Sequence, residues 1–245
     1  QLVAALQVHV AVAGAERALG VYNALRSHLP ELAALAANAP VYVGRDTAMA
    51  SVRPLVAGML PRQGVPPALA GWEEYAQALR WGAAAGSLPE PRLWWWELRL
   101  HPLYGTVEVR VPDAQTTLGE AAGVAAAVHA LVGRLAARHD AGDLPPPAPS
   151  WRIEENRWSA ARHGLEGELA DLDTGARRPT REQVAALLEE LAPVAADLGC
   201  SPALGQAREL CEHNGAQRQR EVAAQNGPRG LVEWLAGRFL ESVPG

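Results

Sequence analysis

Apolar and polar residues alternate from about Val3 to Ala11, with Val8 and Val10 on one side and Gln7 and His9 on the other. That period of two predicts a half-buried strand with His9 on its polar face. From about Ala15 to Ala37 the period lengthens. Leu19, Tyr22, Leu25, Leu29, Leu32 and Leu35 recur at mostly three- and four-residue steps, which predicts a helix or a helix pair broken near Pro30. Between Pro40 and Pro67 no period holds, and Gly44-Arg45-Asp46-Thr47, Ser51-Val52-Arg53 and Pro61-Arg62-Gln63-Gly64 punctuate the stretch. Irregular segments of that length are commonly functional or disordered.

A short helix is predicted over about Trp72 to Trp81, and two strands follow. In the first, Trp96, Leu98 and Leu100 point one way and Glu97, Arg99 and His101 the other. In the second, Val107, Val109 and Val111 oppose Thr106, Glu108 and Arg110. The short connection containing Pro102 and Gly105 favours an antiparallel pair. Thr117-Leu118-Gly119-Glu120 has capping-box spacing, and Ala121, Val124, Val128, Leu131, Val132 and Leu135 form the stripe of a long amphipathic helix that covers a sheet face. Pro145 to Pro149 reads as an extended linker. Beyond it only helices are predicted: from Glu155 to about Gly164, from a Thr180-Arg181-Glu182-Gln183 cap to Gly199, and over roughly Pro202–His213, Ala216–Ala224 and Gly230–Leu240. The expectation is an α+β chain treated as a single domain over residues 1–245, with a sheet-bearing part over 1–140 and a helical part over 150–245.

With 245 residues and 49% apolar content, the chain can bury a sizeable core. No run of about 18 apolar residues exists, so neither a membrane span nor a membrane partner is expected, and the expected location is cytoplasmic. The net charge of -5 gives no field to attract nucleic acid. All 22 basic residues are arginine. The lack of lysine excludes a P-loop lysine and Schiff-base chemistry and leaves phosphate contacts to arginine. Cys200 and Cys211 have no CxxC spacing and read as reduced packing residues. The opening at Gln1, close upon the Val8-His9-Val10 strand, predicts that an N-terminal part of the natural protein is missing.

Glu108-Val109-Arg110 carries the clearest chemistry. Alternation puts a carboxylate and a guanidinium about 7 Å apart on one strand face, where they can hold a divalent cation and a phosphate or simply form a cross-strand salt bridge. His9 is open to a metal, nucleotide, proton-shuttle or structural role. Arg45, Arg53 and Arg62 can clamp phosphates or a carboxylate, or be solvated loop arginines. The Trp94-Trp95-Trp96 run reads as core packing rather than a stacking site. No zinc spacing, GxSxG elbow or GxGxxG turn is present.

In this order, Gln7-Val8-His9-Val10, Gly44-Arg45-Asp46-Thr47, Ser51-Val52-Arg53, Pro61-Arg62, Trp95-Trp96-Glu97-Leu98-Arg99 and Gly105-Thr106-Val107-Glu108-Val109-Arg110 resemble blocks of the glutamate-cysteine ligase type 2 family of carboxylate-amine ligases. Glu155-Asn156-Arg157-Trp158, Ala161-Arg162-His163-Gly164-Leu165 and Asn214-Gly215-Ala216 through Arg220 resemble its C-terminal helical motifs. The similarity spans about Gln7 to Leu240. It implies a glutamine-synthetase-like antiparallel active-site sheet backed by helices, with ATP and Mg²⁺ over it.

By that resemblance Glu108 is similar to the family's metal-binding carboxylate and His9 to its motif histidine near metal and phosphate. Arg110 is similar to the arginine that meets the transferred phosphoryl group. Arg99, Arg45, Arg53 and Arg62 match motif arginines that divide, in an order not fixed here, between ATP and a substrate carboxylate. The implied reaction is phosphorylation of a carboxylate, the γ-carboxylate of glutamate by family default, followed by attack of an amine such as that of cysteine. Such catalysis rests on positioning and electrostatics. Two departures matter: the family's opening strand with its adjacent glutamates is absent, and Ala4-Ala5 stands where a Cys-Gly pair is common. This chain alone is therefore expected to be inactive and to leave a raw sheet edge. A fragment of a working ligase, a shortened relative that binds a nucleotide or amino acid without catalysis, and an unrelated α+β interaction protein remain the competing readings. A homodimer is the expected assembly.

Overall fold

A computed structural model describes residues 3–239. In chain order the elements are β1 (Val8–Ala11), α1 (Ala15–Leu25), α2 (Leu29–Leu35), β2 (Val41–Tyr42), β3 (Arg45–Asp46), α3 (Arg53–Ala57), α4 (Trp72–Ala84), β4 (Leu98–His101), β5 (Thr106–Val109), α5 (Leu118–Asp140), α6 (Ser150–His163), β6 (Glu168–Ala170), β7 (Arg177–Pro179), α7 (Thr180–Asp197), α8 (Ser201–Glu212) and α9 (Gly215–Arg238). The principal sheet has the antiparallel order β1-β5-β4. Its inner face, Val8, Val10, Leu98, Leu100, Val107 and Val109, is buried beneath α1 and α5. Its outer face is the polar one, as the alternation requires.

The Thr117 capping box forms with both of its bonds, and α5 runs through the middle of the core against α1, α7 and α8. By length and composition α5 could cross a membrane, but most of its apolar window is buried inside the protein. The close fit with α8 depends on Gly123, where a Cβ would lie 2.8 Å from the backbone nitrogen of Ala207. Burying leucines such as Leu131 and Leu135 on this helix stabilises the fold by roughly 1.5–3 kcal/mol each.

The helix break near Pro30 falls earlier than its proline suggests, at a 3₁₀ turn over Arg26–His28. Pro30 instead occupies the first turn of α2, where its missing N–H leaves no bond unmade. Arg26 is fully buried and fastens two irregular segments by donating to the carbonyls of Pro66 and Ala148 and to the hydroxyl of Ser150.

Three expectations need correction. The strand expected to include Trp96 begins at Leu98, so the three tryptophans precede the pleat and strand alternation does not sort them. Trp94 packs edge-on against Tyr75 at 5.5 Å. The region beyond the Pro-rich linker is not wholly helical, because β6 and β7 form a hairpin. These strands are too short to leave a period in the sequence, and their turn is held by the Asp171 carboxylate, which accepts from the backbone N–H and hydroxyl of Thr174. Thr180 does not cap α7. Pro179 holds the cap position, and Gln183 donates to the carbonyls of Leu169 and Arg178, tying the helix to the hairpin. The two helices expected after Asn214 are both present within α9, separated by the non-helical Gly227, whose φ of 68° precedes Pro228. Gln1 and the expected helix end at Leu240 lie outside the described residues.

Candidate functional site

Register alone builds the site. His9 on β1 pairs across from Glu108 on β5, and Glu108 pairs across from Arg99 on β4, so the three side chains form one row over the outer face. The Glu108 carboxylate is completely buried and engaged on both oxygens. Arg99 Nε donates to Oε2, Arg110 Nη1 donates to Oε1 at 2.6 Å, and His9 Nε2 lies 3.6 Å from Oε1. Burial opposes ionisation of Glu108, but the hydrogen bonds from Arg99 and Arg110 and their charges outweigh it and hold its pKa below the usual carboxylate value. Arg99 is itself oriented by donating to the carbonyl of Arg92.

Next along the ladder, the Arg110 N–H donates to the Glu97 carbonyl at 2.7 Å. The Glu97 carboxylate is buried and gripped by α6: Arg157 donates through Nε and Nη2 at 2.7 and 2.6 Å, and through Nη1 to Glu154 at 2.6 Å. Burial disfavours the Arg157 charge, but Glu97 and Glu154 override it and raise its pKa further. In the opposite direction the row ends in three rings. His101 stacks on Tyr104 with centroids 4.3 Å apart, and His9 meets both edge-on at 5.4 and 5.7 Å. The His9 Nδ1 lies 3.0 Å from the Thr106 hydroxyl. Burial, helped by the neighbouring Arg99 charge, lowers the pKa of His101 below the ordinary histidine value.

Of the residues singled out in the sequence, the fold thus gathers His9, Arg99, Glu108 and Arg110 on one surface. Arg62 lies beside it. Its Nε donates to the Leu93 carbonyl at 3.2 Å, and its loop borders β4, where the Gly64 carbonyl accepts from Glu97 N–H. Arg45 is exposed on the β2–β3 hairpin. Arg53 is buried away from the face, donating to Asp113 at 2.6 Å and to the Val111 carbonyl, so it organises the chain beyond β5.

A family model described as glutamate-cysteine ligase family 2 (GCS2) matches residues 1–233. A protein of Rubrobacter xylanophilus with the provisional name glutamate–cysteine ligase 2-3 is 43% identical over 242 residues, covering 96% of this chain and 64% of its own length. One of Frankia casuarinae, provisionally named glutamate–cysteine ligase 2-1, is 36% identical over 243 residues, covering 99% and 63%. The chain belongs to glutamate-cysteine ligase family 2. It spans about 63% of the length of such curated relatives. A crystal structure of glutamate–cysteine ligase from Francisella tularensis in complex with AMP superposes with a TM-score of 0.63 at 13% identity, covering 94% of this chain and 60% of that one. At that identity the likeness concerns the fold, which is the α+β, glutamine-synthetase-like one expected.

In this family member the row suits anions better than cations. Two guanidinium groups share one carboxylate, leaving donors on both for further oxygens. Glu108 and His9, the side chains expected to meet a metal, lie side by side, with His9 Nε2 3.6 Å from Glu108 Oε1; no group of three or more His, Cys, Asp or Glu side chains positioned for a metal occurs among the described residues, so a Mg²⁺ held there would complete its shell with phosphate oxygens and water. Sequence reasoning missed Arg157, Glu97, His101 and Tyr104 as parts of the site. Glu97 and His101 shared a predicted face with Arg99, which was the available signal. Nothing local linked Arg157 to them.

Proposed function

We propose that the outer face of the β1-β5-β4 sheet is the phosphate-handling floor of an ATP-dependent carboxylate-amine ligase, with glutamate and an amine such as cysteine as substrates. The observation that carries this reading is the convergence of Arg99 and Arg110 on the one buried carboxylate of Glu108. Glu108 fixes both guanidinium groups in place before a ligand arrives, so little reorganisation is needed when negative charge develops.

In the reaction, a carboxylate oxygen attacks the γ-phosphorus of ATP and the bond to the β–γ bridging oxygen breaks, releasing ADP. The amine nitrogen then attacks the acyl carbon, inorganic phosphate leaves, and the nitrogen gives up a proton as the amide forms. Arg110 and Arg99 neutralise oxygen charge on the transferred group, while Arg157 neutralises the neighbouring Glu97 carboxylate. Mg²⁺ is the ordinary companion of ATP, and with Glu108 and His9 beside it would supply further neutralisation of phosphate charge.

The engagement of both Glu108 oxygens favours a second reading, a relative that binds a nucleotide or amino acid without catalysis. Measurement of ADP release by the full-length protein, with Mg-ATP, glutamate and a panel of amino acids, separates the two. Release that requires both an amine and glutamate, and that collapses in Glu108→Gln, supports the ligase. ATP binding without amino-acid-stimulated release supports the binding protein.

A further inference from the structure

Arg110 stands just past the end of β5, outside the ladder that fixes Glu108, so its aim depends on how the chain leaves the sheet. Its own N–H is tied to the Glu97 carbonyl. After it come Val111, Pro112 and Asp113. Pro112 fixes its own φ and confines Val111 to extended backbone. One buried guanidinium grips both ends of this segment: Arg53 donates to the Val111 carbonyl and, through Nε, to Asp113 Oδ1 at 2.6 Å. Asp113 is buried as well and accepts from two further donors, the Ser51 hydroxyl at 3.0 Å and the Asn38 N–H at 2.7 Å. Charge-assisted bonds of this kind, withdrawn from water, are short and directional.

We propose that Arg53 is a positioning residue: its clamp on Val111 and Asp113 sets the backbone from which Arg110 reaches the transferred phosphoryl group, and Arg53 itself touches no ligand. The inference rests on the phosphate-handling reading of the Glu108 row. A rigid exit from β5 matters because Arg110 must meet charge that develops only in the transition state, where a misplacement of about 1 Å costs on the order of 100-fold in rate. Losing a ground-state contact raises KM, whereas losing aim at the transition state lowers kcat. Those two signatures separate positioning from binding.

Steady-state ADP release by the full-length protein, with Mg-ATP, glutamate and the amino acid that stimulates it most, tests the proposal. Arg53→Met removes both bonds of the clamp, and Arg53→Lys keeps a charged donor that cannot span both acceptors. The first is expected to lower kcat about 10- to 100-fold and the second less, with KM for ATP and for glutamate within about twofold of wild type. Ser51→Ala takes one donor from Asp113 and remains informative if Arg53→Met folds poorly; it should lower kcat in the same direction. Amide hydrogen exchange at Arg110 should quicken about tenfold or more in Arg53→Met while amides inside β5 keep their wild-type rates, since the loosening is local. A raised KM for ATP or glutamate with kcat kept would make Arg53 a ligand contact, and wild-type kcat per folded molecule would leave it a scaffold residue. Either result overturns positioning while the phosphate floor stands. If the wild type releases no ADP, the phosphate floor fails and the positioning role with it.

Discussion

Arg110 donates to Glu108 at 2.6 Å from two residues further along the chain, just past the end of β5, on the side that alternation shares with Glu108. Arg99 reaches the other carboxylate oxygen from the neighbouring strand, so a single buried acid holds two strands' arginines in register. Removing that acid leaves two guanidinium groups facing each other without their counter-charge. Glu108→Gln is therefore expected to cost about 3–5 kcal/mol of unfolding free energy, the range for breaking a buried ion pair from one side. The pH dependence has a definite sign. Because the folded-state pKa of Glu108 is depressed, its contribution is present above the unfolded carboxylate value, near about 4.3, and is lost as pH falls through the lower folded value. Urea unfolding from neutral pH downwards should show the wild-type advantage over Glu108→Gln shrinking below that point. A gap independent of pH would show that the charge is not what stabilises.

Glu97 and Arg157 should behave as a unit. Arg157 is doubly bonded to Glu97, and both side chains are nearly withdrawn from solvent. Arg157→Gln leaves the buried Glu97 carboxylate uncompensated and is expected to lose about 3–5 kcal/mol, Glu97→Gln leaves Arg157 paired with Glu154 alone and should lose less, and the double variant should recover much of the Arg157→Gln loss. A double-mutant cycle by denaturant unfolding checks this. Simple additivity of the two single losses would rule out the coupling.

The strand pair, the Thr117 cap and the long core helix were legible in the sequence because each repeats a pattern over several turns or pleats. The His9, Glu108 and Arg99 row was nearly legible for the same reason, since antiparallel register converts three short alternations into one surface. What could not be read was partnership across distance. Arg157 meets Glu97 from 60 residues away, and Arg53 sits 60 residues before the Asp113 that buries it. Nothing adjacent to either arginine distinguishes it from a solvated one. The three-residue strands of the β6–β7 hairpin failed for a different reason, because they are shorter than any window in which a period can be recognised.

His101 should titrate below an ordinary histidine. Burial disfavours its cation, and the Arg99 charge adds to the effect. A folded pKa below the unfolded one means that the unfolded chain binds the proton more readily, so stability falls as pH drops through about 6.5, the unfolded value, towards the folded value. Proton NMR of the His101 ring is expected to give a midpoint under that value. Titration at or above it would contradict the burial argument. His101→Phe should remove this part of the pH dependence of unfolding while leaving the acid limb from Glu108.

Gly123 offers a test of the scaffold that leaves the charged face untouched. It sits inside α5, where alanine is ordinarily preferred to glycine by about 1 kcal/mol. Here the preference should reverse, because an added Cβ would lie 2.8 Å from the backbone nitrogen of Ala207 and 2.9 Å from Gln206 Cβ on α8. Backbone cannot step aside as a flexible side chain can, so α5 and α8 must separate and loosen the leucines packed between them. Gly123→Ala is expected to lose about 1–3 kcal/mol, the usual penalty of overpacking. Thermal or urea unfolding measures it, and a gain in stability would show that the two helices do not approach this closely. Gly205 on α8 supplies the control: a Cβ there meets nothing within 4 Å, so Gly205→Ala should stabilise by helix propensity alone.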